Sequence, residues 1–554
     1  MKREVLNRLH EQGFLSLLDL HFARFMAGLS GNREKEVSLA AGLLSSHRRE
    51  GHICLDLSAF DKKVLIEGDD ALESVRCPEL KTWRSRLLES AVVGKPGEIR
   101  PMILDDRSRL YLHRYWSYEH KLASLIKGRI EGDDPAIDRQ KLKDGLKRLF
   151  GSDGKNEIDW QEVAAFTALT KGFCVISGGP GTGKTTTVVK ILALLLEQSA
   201  EGKCRVALAA PTGKGAMRLQ EAIRNGKKVI PCSDAVKEAV PEEAATIHRL
   251  LGSIPGSPYF RHHEGSPLPH DVIVLDEASM VDLALMSKLV QATRGSARLI
   301  LLGDRDQLAS VEAGAVLGDI CNTGRTHDFS RPFRDRLHEV TGVEIKAHHE
   351  ESGATGIRDC IVELRKSYRF KSGGGIRRLC LAVNEGRADK ALEILREGHD
   401  EEIAREDLPE SAKLCSALRE TVLKGFREYV RADGPIERLM RFDRFRILCA
   451  LREGPYGVVA VNALVEQILT EEGLLRKKGP WYAGRPVLIT RNDYDTHLFN
   501  GDIGILLPDP DAGNELRAFF PGANELYRRF HPMRLPEHET VYAMTVHKSQ
   551  GSEF

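Results

Sequence analysis

Gly178-Gly179-Pro180-Gly181-Thr182-Gly183-Lys184-Thr185 lies between an apolar run and a helix-like run. The apolar run, Phe173 to Ile176, predicts a buried strand, and Thr186 to Leu196 predicts a helix. Glycines let the backbone curl so that successive N–H groups point at phosphate oxygens, next to the positive end of the helix. This strand, loop and helix together predict a phosphate-binding loop.

We expect the loop to bind ATP with Mg²⁺. Lys184 would reach the terminal phosphates and Thr185 would ligate the magnesium ion. The alternative is a glycine-rich turn without a ligand. The residues expected at the nucleotide are Gly178, Gly179, Pro180, Gly181, Thr182, Gly183, Lys184, Thr185 and Thr186.

Two adjacent acids follow a second buried run. Val272 to Leu275 predicts a strand, and Asp276 and Glu277 come directly after it. Asp276 would hold the metal, while Glu277 would orient and deprotonate the attacking water, a role worth roughly two to four decades in rate. The alternative is a solvated acidic strand end.

A third apolar run, Leu299 to Leu302, leads into a polar loop that ends at Gln307. Ligands of open parallel sheets sit at the carboxyl ends of the strands. Lys184, Asp276 and Gln307 therefore predict one pocket, in which Gln307 senses the terminal phosphate. An ordinary strand-to-turn junction is the alternative for this loop.

Two short polar turns lie between these motifs. Pro211-Thr212-Gly213-Lys214 and Thr246-Ile247-His248 supply hydroxyls, main-chain N–H groups and a Lys or a His. Such groups follow a sugar-phosphate chain without reading its sequence. The turns favour nucleic-acid contact, and plain loops are the alternative.

The order of these motifs resembles superfamily 1 DNA helicases, and within them the RecD family, alpha subunits of exonuclease V complexes. The resemblance covers nearly the whole chain. Its further motifs are Trp160-Gln161, Ala309 to Leu317, Lys366 to Phe370, Cys449 to Pro455, Leu498 to Gly504 and Thr545 to Phe554.

The resemblance implies an α/β fold. It consists of two RecA-like P-loop NTPase lobes with a small, mainly helical N-terminal domain and a small β-barrel inserted in the second lobe. Short strand patterns around the turn Asn500-Gly501, a strong hairpin signal, agree with the insertion. The expected divisions are 1–110 (partner docking), 111–158 (helical connector), 159–340 (first lobe), 341–465 (second lobe), 466–540 (barrel) and 541–554 (second lobe continued).

The resemblance also implies residue roles. Gln161 would read the adenine, and Arg369 would join Lys184, Glu277 and Gln307 as a catalytic residue at the terminal phosphate. Gln550, Gly551 and Glu553 would close on the nucleotide. The residues expected to touch DNA are Pro211, Thr212, Lys214, Thr246, His248, Thr545 and His547.

The activity implied by the resemblance is ATP-dependent 5′ to 3′ translocation and unwinding. The substrates would be single-stranded DNA and duplex ends, in a heterotrimer with RecB-like and RecC-like subunits for double-strand-break repair and recombination. No carboxylate cluster predicts a nuclease centre, so exonuclease activity would belong to the partners. The alternatives are an ATP-gated DNA-binding regulatory subunit and a freestanding helicase of this superfamily.

The last motif, which begins at Thr545, stops at Phe554, so we expect a fragment of a longer chain. The next motif of the family carries an arginine worth about three to five decades in rate. Without its strands, Ile447 to Leu448 and Val541 to Met544 would leave an exposed sheet edge.

The amino-acid composition further limits the class of protein. The 554 residues exceed a single core, and 81 basic against 80 acidic residues produce no global basic field, so DNA contact must be local. Arg365 to Lys371 is a candidate basic patch for DNA contact, and a solvated basic helix end is the alternative.

The ten cysteines have no CxxC spacing and suit a reducing compartment. No run predicts a membrane span or a signal peptide, so we expect a cytoplasmic protein.

The first hundred or so residues carry none of the ATPase chemistry. Apolar positions from Val5 to Met26 predict short amphipathic helices, and Arg109 to Leu112 predicts a strand before another helix. By the resemblance this domain docks on the RecC-like subunit. The alternative is a self-contained helical cap that packs on the motor.

Overall fold

The computed structural model describes residues 2–31, 34–68, 74–132, 137–151, 157–199, 204–308, 310, 312–324, 326–346, 356–369, 374–397, 402–493, 495–522 and 527–552. The chain divides into two compact units. Met1–Ala207, Gly226–Pro241 and Ile247–Lys366 form the first unit, and Leu208–Asn225, Glu242–Thr246 and Ser367–Phe554 form the second.

The N-terminal part of the first unit packs helices on a small sheet. Its elements are α1 (Lys2–Glu11), α2 (Leu17–Leu29), α3 (Glu34–Arg49), β1 (Cys54–Asp56), β2 (Val64–Ile66), β3 (Val75–Arg76), α4 (Leu80–Leu88), β4 (Val93–Gly94), β5 (Met102–Leu104) and β6 (Arg109–Leu112). The described sheet has the order β1-β6-β5-β4. Trp83 is fully buried in this core and donates from Nε1 to the Glu36 carbonyl at 3.2 Å. The predicted strand at Arg109 is confirmed.

An α/β layer follows. Its elements are α5 (His113–Glu131), α6 (Arg139–Phe150), α7 (Trp160–Thr170), β7 (Phe173–Gly178), α8 (Lys184–Gln198), β8 (Val206–Ala210), α9 (Gly213–Val229), α10 (Asp234–Ala239), β9 (Ala244–Thr246), α11 (Ile247–Leu251), β10 (Val272–Leu275), α12 (Leu283–Ala292), β11 (Arg298–Gly303), α13 (Val316–Cys321), α14 (Arg331–Thr341) and β12 (Ile361–Leu364). The strands have the order β12-β7-β11-β10-β8-β9.

The central strands of this sheet are parallel and apolar. β7 pairs in parallel with β11 and β12, and β11 pairs in parallel with β10. Every residue of β7 and β10 is buried, which is why the sequence shows them as continuous apolar runs rather than alternating ones. The three predicted strands are confirmed, and their carboxyl ends lie along one edge of the sheet.

The position of β12 differs from the one expected from the predicted domain boundaries. The family resemblance implies that the second lobe begins at residue 341, whereas Val362 lies opposite Ile176 in the sheet of the first unit. Burial of Ile361, Val362 and Leu364 explains the placement, because an apolar strand beside β7 completes that side of the sheet. The chain passes from the first unit to the second after Lys366.

The second unit contains helices and two described sheets. Its further elements are α15 (Gly375–Asn384), α16 (Ala388–Arg396), α17 (Leu414–Arg431), α18 (Pro435–Phe442), β13 (Ile447–Cys449), α19 (Val458–Glu471), β14 (Arg485–Ile489), β15 (Ile503–Asp509), β16 (Glu515–Pro521), β17 (Tyr527–Phe530), β18 (His538–Thr540), β19 (Ala543–Thr545) and α20 (Val546–Ser549). β13 and β19 pair in parallel, with Leu448 opposite Met544.

The region predicted as a barrel forms an antiparallel sheet, with the order β17-β16-β15-β14-β18 among the described residues. Tyr429 of α17 and Tyr542, between β18 and β19, both donate from their hydroxyls to the Gly484 carbonyl just before β14, at 2.7 and 3.0 Å. The turn at Asn500-Gly501 forms, since Asp502 N donates to Phe499 O at 2.9 Å and Gly501 has φ +98°. It does not join β14 to β15 directly as a hairpin would, because Asp493 and Leu498 form another bridge inside the connection.

None of the described helices combines the length and the apolar character that a membrane crossing requires.

Candidate nucleotide site and nucleic-acid contacts

The predicted phosphate-binding loop joins β7 to α8. Gly183 caps α8 in the left-handed conformation (φ 81°, ψ 22°), and Gly181 has φ +73°. At Gly178 an added Cβ would lie 2.7 Å from Thr182 Oγ1 and 3.1 Å from Leu364 Cβ. The loop therefore needs glycine at these positions for both backbone freedom and close approach.

Lys184 lies against the loop that it follows. Its Nζ donates to the carbonyl of Gly178 at 2.6 Å and to that of Gly179 at 3.2 Å. Thr182 Oγ1 also donates to the Gly179 carbonyl, at 2.9 Å. The ammonium is thus held over the loop, where phosphate oxygens can compete with neutral carbonyls for its N–H groups.

The hydroxyls after Lys184 occupy the first turn of α8. Thr185 is half-buried and Thr186 is exposed, while Thr187 turns inward and donates to the Gly183 carbonyl at 2.9 Å. Pro180 is exposed at the tip of the loop. The predicted loop therefore lies at the N-terminus of a helix, a position that favours anions.

Asp276 and Glu277 follow β10 directly. Burial raises the pKa of the Asp276 carboxyl, opposed by the N–H of Glu277 at 2.8 Å and by the charge of Lys184. Asp276 and Lys184 are therefore close enough to interact. Glu277 has the left-handed backbone conformation (φ 52°, ψ 40°), which is uncommon for a non-glycine residue and occurs preferentially at functional sites.

Gln307 lies beside the same strand ends. Its Oε1 accepts a long hydrogen bond from Ser279 Oγ at 3.4 Å, two residues after Glu277. The register pairs Gly303 at the end of β11 with Ser177 in β7. Gln307 is thus linked to the segment that carries the acidic pair.

Asp304 is a site residue that the sequence reasoning missed. Burial raises the pKa of its carboxyl, while the N–H of Asp306 and the charge of Lys184 lower it. It directly follows β11, which pairs with β7, so its position at a strand end was an available sequence signal. Asp304 adds a second partly buried carboxylate near Lys184.

Gln161 connects the start of α7 with the loop. Its Nε2 donates to the Thr182 carbonyl at 3.1 Å, and its backbone N–H donates to Asp159 Oδ1 at 2.9 Å. The residue expected to read the base therefore touches the phosphate-binding loop itself.

The first polar turn of the nucleic-acid motifs lies in the second unit. Thr212 Oγ1 accepts from Gly215 N at 3.0 Å at the start of α9. Thr246 ends β9, opposite Ala210, so the register places it beside the half-buried Pro211. Lys214 donates from Nζ to Ser552 Oγ at 2.7 Å. Burial lowers the pKa of Lys214 to about 8, with Arg218 adding to the effect.

Thr545 caps α20, because its Oγ1 accepts from Lys548 N at 3.3 Å. His547 is exposed on the same short helix. Gln550 N donates to the His547 carbonyl at 3.2 Å, and Gly551 has φ +65°. Glu553 lies outside the described residues. Ser552 is thus a contact of Lys214 that the sequence reasoning did not single out.

Two further predicted site residues, His248 and Arg369, make contacts of a different kind. His248, in the first unit, packs edge-on against Phe260 with ring centroids 5.7 Å apart. Arg369, in the second unit, is exposed, and its backbone N–H donates to Ser367 Oγ at 3.4 Å. In the described ranges, no three His, Cys, Asp or Glu side chains gather so as to hold a metal ion.

Two family models match parts of this chain. Residues 11–111 match the N-terminal domain of the RecBCD enzyme subunit RecD, and residues 161–313 match the AAA domain. A solved Pif1 helicase from Bacteroides, in complex with ADP-AlF3 and single-stranded DNA, overlaps 72% of this chain and 85% of its own at 18% identity, with a TM-score of 0.35.

Two curated relatives named RecD match this chain over most of their length. RecBCD enzyme subunit RecD of Mycobacterium tuberculosis H37Rv is 37% identical over 553 residues, 98% of this chain and 85% of the relative. The protein of the same name from Haemophilus influenzae is 32% identical, over 99% of this chain and 90% of the relative. The ATP-dependent RecD2 DNA helicase of Deinococcus radiodurans is 28% identical, over 80% of this chain and 50% of the relative. The chain therefore belongs to the family of the RecBCD enzyme subunit RecD.

Proposed function

We propose that this chain is an ATP-driven, 5′ to 3′ translocase and helicase on single-stranded DNA, the RecD-type subunit of an exonuclease V complex. It would act at duplex ends in double-strand-break repair and recombination, in the bacterial cytoplasm. The observation that carries the proposal is that Asp276 and Asp304, which follow the neighbouring strands β10 and β11, both interact with Lys184 of the phosphate-binding loop, in a chain of the RecD family. The 5′ to 3′ direction rests on the family resemblance alone.

The residues of the loop suit a nucleoside triphosphate. Lys184 would exchange the Gly178 and Gly179 carbonyls for terminal phosphate oxygens, which form stronger, charge-assisted hydrogen bonds. Asp276 and the Thr185 hydroxyl would hold Mg²⁺, which prefers such oxygen ligands. Bound there, the ion would neutralise charge developing on the phosphates. The raised pKa of Asp276 fits a carboxylate whose burial a cation would offset.

Glu277 is the proposed general base. It directly follows Asp276, the proposed metal ligand, and its left-handed backbone conformation is one that persists only where the surrounding structure imposes it. It would take the proton of the attacking water. Gln307, linked through Ser279, would sense the terminal phosphate.

The remaining nucleotide contacts and the DNA contacts are proposed from the family resemblance. Arg369, Gln550, Gly551 and Glu553 would contact the nucleotide, and Gln161 would read its adenine. Backbone-phosphate contact is assigned to Pro211, Thr212, Lys214, Thr246, His248, Thr545 and His547. The capped turns at Thr212 and Thr545 support it, since hydroxyls and main-chain N–H groups at helix starts bind phosphates without reading sequence.

The N-terminal domain is the proposed docking site for a RecC-like subunit, with a RecB-like subunit completing the heterotrimer. Its helix α2 exposes Leu18, Phe25 and Leu29 at helical spacing, with Phe14 exposed just before the helix. We call these four residues the α2 stripe. Contiguous exposed apolar surface of this kind marks protein interfaces.

We also propose the following division into domains. We keep 1–110, 111–158, 466–540 and 541–554, and extend the first lobe to Lys366 because β12 belongs to its sheet. The antiparallel sheet of 466–540 would be the inserted β-barrel, and the parallel pair β13 and β19 would belong to the second RecA-like lobe.

The testing experiment is steady-state ATP hydrolysis with and without single-stranded DNA, comparing the wild type with Lys184→Ala. We expect strong stimulation by DNA, and loss of turnover by about 10²-fold or more in the variant. Lys190→Ala, on the same helix but over the Phe150 ring, is the matched control and should keep turnover.

ATP binding without DNA-stimulated turnover would overturn the motor and favour the regulatory alternative. Unwinding of a duplex with a 5′ tail but not a 3′ tail tests the direction. Full unwinding by the isolated chain, with no association with RecB-like and RecC-like subunits, would favour the freestanding alternative.

A further inference from the structure

Trp160, the first residue of α7, lies in a stack of three side chains. The His327 ring is nearly parallel to the indole, with centroids 3.5 Å apart and an interplanar angle of 11°. The Arg365 guanidinium carbon lies 5.6 Å from the indole centroid. The Trp160 ring is thus engaged by protein groups, so its role differs from that of an open platform for a base.

Burial, a hydrogen bond and ring contacts hold His327 in place. It is only 5% exposed, its Nε2 accepts from Glu363 N at 2.9 Å, and its ring also stacks on Phe329 at 5.8 Å. Burial lowers the pKa of His327 to about 3, so the ring is neutral at working pH. Its backbone has φ +61°, a conformation that persists in a histidine only where the surroundings impose it.

The stack connects two parts of the proposed nucleotide site. Trp160 is followed by Gln161, whose Nε2 contacts the Thr182 carbonyl of the phosphate-binding loop. Arg365 directly follows Leu364, the partner of Gly178 in the sheet. The chain then passes from Lys366 into the segment that contains Arg369.

We propose that the stack of Trp160, His327 and Arg365 positions Gln161 for selecting the base of the nucleotide and anchors the start of the segment that leads to Arg369. The inference rests on the proposed function, because Gln161 is the proposed adenine reader. Trp160, His327 and Arg365 are positioning residues, since they act through Gln161 and the Arg369 segment. A displacement of about 1 Å in a positioned group can cost up to about 10²-fold in rate.

The experiment measures kcat and KM for ATP and for GTP in the presence of single-stranded DNA. For Trp160→Ala we expect the KM for ATP to rise about tenfold while the KM for GTP changes little, because only base-specific contact is lost. Trp160→Phe keeps an aromatic ring against His327 and should restore most of the preference. Trp116→Ala removes another Trp and His stack of the same unit, with His120 at 5.0 Å, and should leave the preference unchanged.

Arg365→Ala tests the anchoring part without disturbing the core, because Arg365 is exposed. We expect kcat to fall severalfold with the KM for ATP nearly unchanged. This variant also keeps the inference testable if Trp160→Ala fails to fold, which thermal unfolding would reveal.

Gln161→Ala distinguishes the positioning role of Trp160 from the adenine-reading role of Gln161. Loss of ATP preference in Gln161→Ala but not in a folded Trp160→Ala would overturn the inference and leave the adenine reader intact. Unchanged preference in both variants would overturn the adenine-reading role in the proposed function. Unchanged kcat in Arg365→Ala would overturn the anchoring.

Discussion

Lys214 Nζ donates to Ser552 Oγ at 2.7 Å, joining two motifs that are 338 residues apart in the chain. Burial, together with Arg218 and Arg446, lowers the pKa of this lysine to about 8, against the opposing charges of Asp443 and Asp502. A residue proposed to contact the DNA backbone is therefore partly deprotonated in mildly alkaline solution and already has a serine as its partner.

This relationship predicts that the affinity for single-stranded DNA falls as the pH rises through about 8. A phosphate beside the ammonium favours the charged form and raises the pKa, so binding takes up a proton. Fluorescence anisotropy with labelled single-stranded DNA, between about pH 7 and pH 9 at constant salt, measures the effect. Lys214→Arg stays charged and should flatten the profile; an equally steep profile in that variant would contradict the assignment.

Glu277→Gln should lower the kcat of ATP hydrolysis by about 10²- to 10⁴-fold while ATP binding persists, because the amide cannot accept the proton of the attacking water. Equilibrium binding of a labelled ATP analogue, together with steady-state turnover, separates the two effects. Glu264→Gln, at an exposed acid, is the control and should keep wild-type turnover. Turnover within threefold of wild type in Glu277→Gln would rule out Glu277 as the base.

Gly213→Ala should destabilise the second unit. An added Cβ would lie 2.7 Å from Phe499 Cβ and 2.8 Å from its Cγ, and such overpacking costs about 1–3 kcal/mol. Thermal unfolding should show a lower Tm. The double variant with Phe499→Ala should recover only part of the loss, because the contacts with the Phe499 ring are removed while the contact with its Cβ remains.

The control for this prediction is Gly128→Ala, inside α5, where an added Cβ meets no atom within 4 Å. A helical glycine without such a clash should gain about 0.5–1 kcal/mol on replacement by alanine. Additive effects of Gly213→Ala and Phe499→Ala would show that the two residues are not in contact.

Leu18→Glu and Phe25→Glu should abolish co-purification with a RecC-like subunit while leaving ATP hydrolysis by the isolated chain unchanged. A charge in the α2 stripe would have to be desolvated on docking, which is costly without a partner charge. Ile99→Glu is the control, because Ile99 belongs to the same domain and is 91% exposed but lies outside the stripe. Equal retention of the partner by all three variants would exclude the stripe as the docking surface.

Local pattern was sufficient for the phosphate-binding loop. Its glycines, Lys184 and the flanking strand and helix lie within a short stretch of chain, so composition and periodicity determine their conformation directly. The apolar runs that begin at Val272 and Leu299 predicted buried strands equally well, because strands buried on both faces are apolar throughout. Their common edge followed from the rule for parallel sheets.

Sequence alone was enough to predict the phosphate-binding loop, the polar residues at the ends of the central strands and the resemblance to the RecD family. Only the packing of distant elements brings β12 into the first sheet, Lys214 to Ser552 and His327 onto Trp160. Each of these pairs is far apart in the chain. Their contact depends on how packed elements bring distant residues together, and the periodicity of a single element carries no information about that.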